Sequence, residues 1–142
     1  MLNIEKFTSF YRDLGSMNLA DLDTIYRDDV VFVDPIAKHE GISSVHAYFE
    51  RLLDNAEDCR FDIAQPHFST TQGQSCILEW TMSYRTSSLN KGDNILVDGV
   101  TLLKFEGEKI CYHRDYYDLG QMVYEQIPIL GRLVKAVKKR LE

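Results

Sequence analysis

Residues 107–118 read Gly-Glu-Lys-Ile-Cys-Tyr-His-Arg-Asp-Tyr-Tyr-Asp, and the period of this stretch decides the fold. Gly107, between Glu106 and Glu108, marks a turn. The alternation that follows is that of a strand. Ile110, Tyr112, Arg114 and Tyr116 fall on one side, and Cys111, His113, Asp115 and Tyr117 on the other. The second row puts a histidine and an aspartate on one face. If that face is interior, a carboxyl group stands in a largely apolar hollow.

Three more strands precede this one. Residues 95–105 form the nearest, reached from a hairpin loop at Asn90-Lys91-Gly92-Asp93. Residues 75–85 alternate plainly, with Cys76, Leu78, Trp80, Met82 and Tyr84 on one face. A turn at Gln72-Gly73-Gln74 separates them from residues 60–69, a strand in which Pro66 predicts an edge or a bulge.

Further upstream the period becomes helical. Residues 3–14 place Ile4, Phe7, Phe10, Tyr11 and Leu14 on one face, and Gly15 follows as a stop. Asn18 is read as the N-cap of a second short helix carrying Leu19, Leu22, Ile25 and Tyr26, which ends at Asp28-Asp29. Residues 30–33 form a short strand, stopped by Asp34-Pro35 because proline has no N–H to donate. A loop over 36–41 leads to a third helix, capped by Ser43 or Ser44, with Ile42, Val45, Phe49, Leu52 and Leu53 as its stripe. Helices early and strands late predict an α+β fold with helices on one face of a curved antiparallel sheet.

Composition narrows the function classes. The chain has 142 residues, 44% hydrophobic and 27% charged, the balance of one globular domain. Net charge is −6, but residues 132–142 carry +4 and residues 1–131 therefore −10. An acidic body argues against nucleic-acid binding. Glu5 and Lys6 break any apolar run at the start, and no stretch approaches the ~20 apolar residues of a membrane span, so a cytoplasmic protein is expected. Cys59, Cys76 and Cys111 read as free thiols; no metal-ligand spacing and no Gly-rich phosphate loop occurs, so neither metal nor cofactor is expected. Residues 121–142 are set apart as a helical extension of the domain spanning residues 1–120. Ile129, Leu130, Leu133, Val134, Val137 and Leu141 form its apolar stripe. This helix is expected to pack on the body, and membrane contact by it is not expected.

Two stretches resemble the nuclear transport factor 2-like superfamily, which includes ketosteroid isomerases, limonene-epoxide hydrolases and SnoaL-like polyketide cyclases. One is Tyr26-Arg27-Asp28-Asp29-Val30-Val31-Phe32-Val33-Asp34-Pro35, similar to the segment leading to the Asp-Pro of the isomerases. The other is residues 105–118, similar to the ending of the epoxide hydrolases and SnoaL-like proteins. The resemblance implies a cone-shaped, cystatin-like sheet wrapped round a pocket, and a homodimer. It implies that Asp34 matches the isomerase base and Asp115 the last-strand acid of the hydrolases. The isomerase oxyanion-hole tyrosine falls on Phe10 and its acid near Thr101. The hydrolase Arg-x-Asp falls on Arg85-Thr86-Ser87, without its acid.

The function expected from residues and resemblance together is binding of a small apolar or amphipathic molecule. Cofactor-free acid–base catalysis would be carried by Asp34, Asp115 and His113, as isomerase, cyclase or epoxide-hydrolase-like chemistry. Phe10, Phe32, Trp80, Met82 and Tyr84 are expected to line the pocket, joined by Thr101, Cys111 and Tyr117. The alternative is a non-catalytic ligand-binding or adaptor module acting through its dimer surface or its basic C-terminal helix.

Overall fold

Apolar residues at helical spacing bury α1 (Ile4–Arg12) through Phe7, Phe10 and Tyr11. This computed structural model describes residues 4–69 and 74–142. The expected start of α1 at residue 3 and most of the turn at Gln72-Gly73-Gln74 lie outside the described residues. After α1 the chain makes two short 3-10 turns. Asn18 opens the second, its side-chain oxygen accepting from the Ala20 N–H at 3.0 Å. A single helical turn, α2 (Leu22–Ile25), then leads into β1 (Tyr26–Val33).

The strand therefore begins at Tyr26, four residues earlier than the sequence suggests. The reason is tertiary: Tyr26 pairs with Ile110 across the sheet, and the ladder resumes only at Val31 opposite Tyr112. Residues 27–29 bulge out between these points and hold the Arg27–Asp29 ion pair at 2.8 Å. The expected loop after Pro35 contains an edge strand, β2 (Lys38–Glu40), folded back on β1. Helix α3 (Ile42–Asn55) is preceded by Gly41 at φ 84° rather than capped by Ser43 or Ser44. That positive φ suits glycine, and both serines sit inside the first turn.

Pro66 splits the next strand as its missing N–H requires. Strands β3 (Asp58–Ile63) and β4 (His67–Phe68) both pair with β5 (Ser75–Arg85). Strands β6 (Ile95–Glu106) and β7 (Lys109–Tyr117) complete an antiparallel meander. The order across the sheet is β2-β1-β7-β6-β5-β3. The sheet is not wholly antiparallel: β1 joins β7 in parallel, after the long excursion through α3 and the meander. The α+β class with a curved open sheet stands otherwise as read.

The helices cover the inner face. Leu78, Val97, Leu103 and Phe32 of the sheet and Phe49 of α3 are among the fully buried side chains between them. At Gly99, directly opposite Trp80, an added Cβ would overlap the indole ring. The absence of a side chain at 99 is what lets Trp80 lie across β6.

After β7, α4 (Leu119–Met122) is capped by Asp118, which accepts from the Gly120 and Gln121 N–H groups. A 3-10 turn, Tyr124–Gln126, leads to α5 (Pro128–Leu141). The expectation that α5 packs its apolar stripe on the body is not met. Ile129 is 76% exposed, Leu133 61%, Val137 57% and Leu141 82%. The helix is seated instead at Gly131, which is buried against Glu125, where a Cβ would lie 2.5 Å from the carbonyl oxygen. No helix among the described residues is long and apolar enough to cross a membrane.

Gly99→Ala should force the Trp80 ring from its place and destabilise the fold by about 1–3 kcal/mol, the usual cost of overpacking. Urea denaturation followed by the fluorescence of Trp80, the chain's one tryptophan, measures this directly. Unchanged stability would show that the ring has room to move.

Candidate functional site

The alternation of β7 breaks once, at Cys111. Ile110 pairs with Phe105 while Tyr112 pairs with the adjacent Lys104, so Cys111 is the extra residue of a bulge. The bulge shifts the inward row by one position. Ile110 is therefore buried, though its row was read as the opposite face, and beyond the bulge His113 is fully buried too. Cys111 itself leaves the interior; its Sγ lies 3.4 Å from the Lys104 carbonyl oxygen. It is not in the wall of the interior cavity, contrary to expectation.

His113 lies in the ladder beside Phe32 and stacks on that ring, centroids 4.1 Å apart. Both ring nitrogens are engaged: Nδ1 is 2.8 Å from the Tyr26 hydroxyl, and Nε2 is 2.7 Å from Asp115 Oδ1. Tyr26 is in turn 2.6 Å from the Tyr11 hydroxyl. From the opposite side Trp80 Nε1 donates to Thr101 Oγ1 at 2.8 Å, and Thr101 donates to the same Asp115 oxygen at 2.6 Å. Six side chains from α1, β1, β5, β6 and β7 form one hydrogen-bonded path.

Donor chemistry fixes the direction of this path. Indole N–H only donates, so Thr101 spends its hydrogen on Asp115. With Asp115 ionised and His113 neutral, one polarity satisfies the other arm: Tyr11 donates to Tyr26, Tyr26 to Nδ1, and Nε2–H to Asp115. Burial holds both phenols protonated; it is the largest cause raising the Tyr11 and Tyr26 pKa well above the ordinary phenol range. Every donor thus aims towards one carboxylate, and both bonds that Asp115 accepts fall on Oδ1.

Asp115 borders an interior cavity of about 30 Å³, whose wall also includes Phe32, Tyr48, Trp80, Met82 and Tyr117. That volume holds about one water-sized group. Larger hollows of about 650 and 600 Å³ lie on the outside, and none of Asp34, His113 and Asp115 lines either.

Asp34 stands apart from the cavity wall. Its Oδ1 accepts from the Ile36 and Ala37 N–H groups at 2.8 and 2.9 Å, the turn-closing role of an Asp-Pro strand end. Its Oδ2 is buried and takes no hydrogen bond from the described residues. The two carboxylates are nonetheless neighbours of the same phenols. Burial first, then the charges of Asp34 and Asp115, raise the pKa of Tyr48 and of Tyr117. Tyr48 and Tyr117 therefore feel both acids.

The remaining expected residues divide. Phe32, Trp80, Met82 and Tyr117 line the cavity. Thr101 is buried behind it, bridging Trp80 and Asp115. Phe10 does not reach it; its ring packs edge-on against Phe49 and Tyr11. Tyr84 does not either, its hydroxyl donating to the Met122 carbonyl oxygen at 2.6 Å and tying α4 to the sheet. Sequence reading missed Tyr11, Tyr26 and Tyr48. Tyr11 and Tyr26 are read on apolar stripes and Tyr48 stands beside one, positions where phenylalanine would serve as well, and nothing in their spacing marks the hydroxyl. Among the described residues no group of three or more His, Cys, Asp or Glu is placed to hold a metal ion.

The model of the SnoaL-like domain family matches residues 7–113. No curated protein matches the sequence significantly. Solved structures share the fold at low identity. A hypothetical protein from Catenulispora acidiphila DSM 44928 with a ketosteroid isomerase-like fold, in complex with trimethylamine, is 19% identical with TM-score 0.73, covering 89% of this chain and 93% of that one. A SnoaL-like polyketide cyclase from Jannaschia sp. CCS1 is 15% identical with TM-score 0.72, covering 89% and 92%. An LEH-like epoxide hydrolase from M. tuberculosis is 16% identical with TM-score 0.67, covering 94% and 92%.

Tyr26→Phe leaves His113 Nδ1 and the Tyr11 hydroxyl without their partner and should destabilise the protein by about 1–3 kcal/mol in urea at neutral pH. The phenol pKa values are raised in the folded state, so their contribution is complete below the unfolded value of about 10 and is lost as pH rises through the folded values. Stability should therefore fall with increasing pH from about 10 upward, and more shallowly in Tyr26→Phe. A denaturation midpoint flat across that range would contradict the buried path.

Proposed function

The chain belongs to the SnoaL-like domain family, and on that footing we propose that it binds a small, largely apolar molecule inside the curved sheet and moves a proton on it with Asp115. The observation that carries the reading is the convergence of two hydrogen-bonded arms on one carboxylate at the cavity wall. Two donors stabilise Asp115 as an anion in an apolar, aromatic surrounding. The arms occupy Oδ1, which leaves Oδ2 as the atom that takes a proton from the ligand and returns it.

His113 is a positioning residue in this scheme. It is sealed from the cavity between Phe32 and Tyr26 and acts by holding the carboxylate in one rotamer. Asp34 is the second acid, acting across Tyr48. The reaction class is proton transfer without a cofactor, as in an isomerase or cyclase. Water activation, as in an epoxide hydrolase, would use Asp34 and Asp115 as a pair. The cavity admits only the reacting end of a ligand as it stands. Met82 and Met122, both in its wall, are the side chains best able to give way. The trimethylamine bound by the Catenulispora protein supports a small organic occupant for such a fold. Exposed Ile77, Leu96 and Tyr116 on the outer face of the sheet support a homodimer.

A panel of small ketones, lactones and epoxides tests the proposal. At least one compound should be turned over. Asp115→Asn should cut its kcat by about 10²–10⁴, the usual share of a general acid–base group, while binding persists. Turnover that survives Asp115→Asn, or a panel none of whose members binds, overturns it.

A further inference from the structure

We propose that α5 docks the protein on an anionic lipid surface. At about 100° per residue, Ile129, Leu130, Leu133, Val134, Val137 and Leu141 fall within an arc of roughly 140°. The middle of that arc, at Leu133 and Val137, is exposed. What holds the helix lies to one flank of the arc, roughly 110–130° round from its middle: Gly131 pressed against the Glu125 backbone, and Lys138 paired with Glu125 at 3.1 Å and Asp118 at 3.5 Å, with Val134 at the arc's edge half-buried beside them. The attachment thus presents the apolar stripe outward, with Ile129, Leu133, Val137 and Leu141 all more than half exposed. An exposed contiguous apolar patch on an otherwise acidic protein marks a contact surface.

Charge selects the occupant. Arg132, Lys135, Lys139 and Arg140 are exposed and make no ion pair among the described residues, and the helix has no acidic residue between Pro128 and Leu141. The nearest body carboxylates, Asp118 and Glu125, are already answered by Lys138. Arg140 lies seven residues after Leu133, inside the apolar arc. In a seam between two copies of this helix it would be driven against apolar side chains and its like-charged image. At a lipid surface its long stem lies along the apolar layer while the guanidinium reaches the phosphates. A basic amphipathic helix of this kind binds through buried apolar area together with attraction to anionic headgroups. The docked helix would also bring the cavity wall at Met122, in the element just before it, close to the bilayer.

Flotation of the intact protein with vesicles tests this. It should bind phosphatidylglycerol-containing vesicles, bind pure phosphatidylcholine weakly, and dissociate in high salt. Lys135→Glu combined with Lys139→Glu should lower the partition coefficient on the order of a hundredfold or more. Leu133→Glu should abolish binding without changing the circular dichroism spectrum, because the side chain is exposed. Two results overturn the proposal: no flotation with anionic vesicles, or a dimer by analytical ultracentrifugation that Leu133→Glu converts to monomer, which would show a second copy covering the stripe.

Discussion

A buried imidazole must satisfy both of its nitrogens, because a buried polar atom left unpaired costs about 1–3 kcal/mol. His113 meets this requirement with Tyr26 on one side and Asp115 on the other, and much of the chain is arranged so that it can. Tyr26 has to stand in β1 beside Ile110 rather than end a helix. Cys111 has to drop out of the ladder so that positions 113 and 115 turn inward. Phe32 has to lie flat on the ring. Two strands distant in sequence are thereby locked in parallel register around one side chain.

The same requirement shapes the candidate chemistry. The tautomer of His113 that receives from Tyr26 at Nδ1 has its Nε2–H to give, and Asp115 Oδ1 lies 2.7 Å away to accept it. Thr101 adds a second donor, whose own oxygen is occupied by Trp80. The carboxylate is therefore oriented before any ligand arrives, the condition under which a fixed charge is most effective. Asp34 is differently placed. Its backbone bonds belong to the turn after β1, and its buried Oδ2 is not part of the cavity wall that Tyr48 helps to form. The two acids that the sequence suggests as equals have unequal surroundings.

The C-terminal helix shows how one small residue sets an orientation. Gly131 permits contact between α5 and the turn before it, and Lys138 fixes the angle by reaching two carboxylates. Amphipathic spacing alone is satisfied equally by a stripe facing the body or facing away. Contacts along one flank of the stripe leave most of it exposed.

Local periodicity is sufficient to determine the α+β class, the presence of α1 and α3, the span of β5, the break at Pro66 and the inward row of β5, because each depends on neighbours within a turn or two. The choice of Asp115 and His113 as facing partners also follows from their spacing on one strand. The tertiary structure alone decides the early start of β1, the parallel pairing of β1 with β7, the loss of Cys111 from the inner row and the outward stripe of α5. It also decides that Tyr11 and Tyr26 complete the path to Asp115. Those features arise from contacts between residues up to 87 positions apart. The local pattern of apolar and polar residues carries no record of which distant partner will satisfy a buried hydrogen bond.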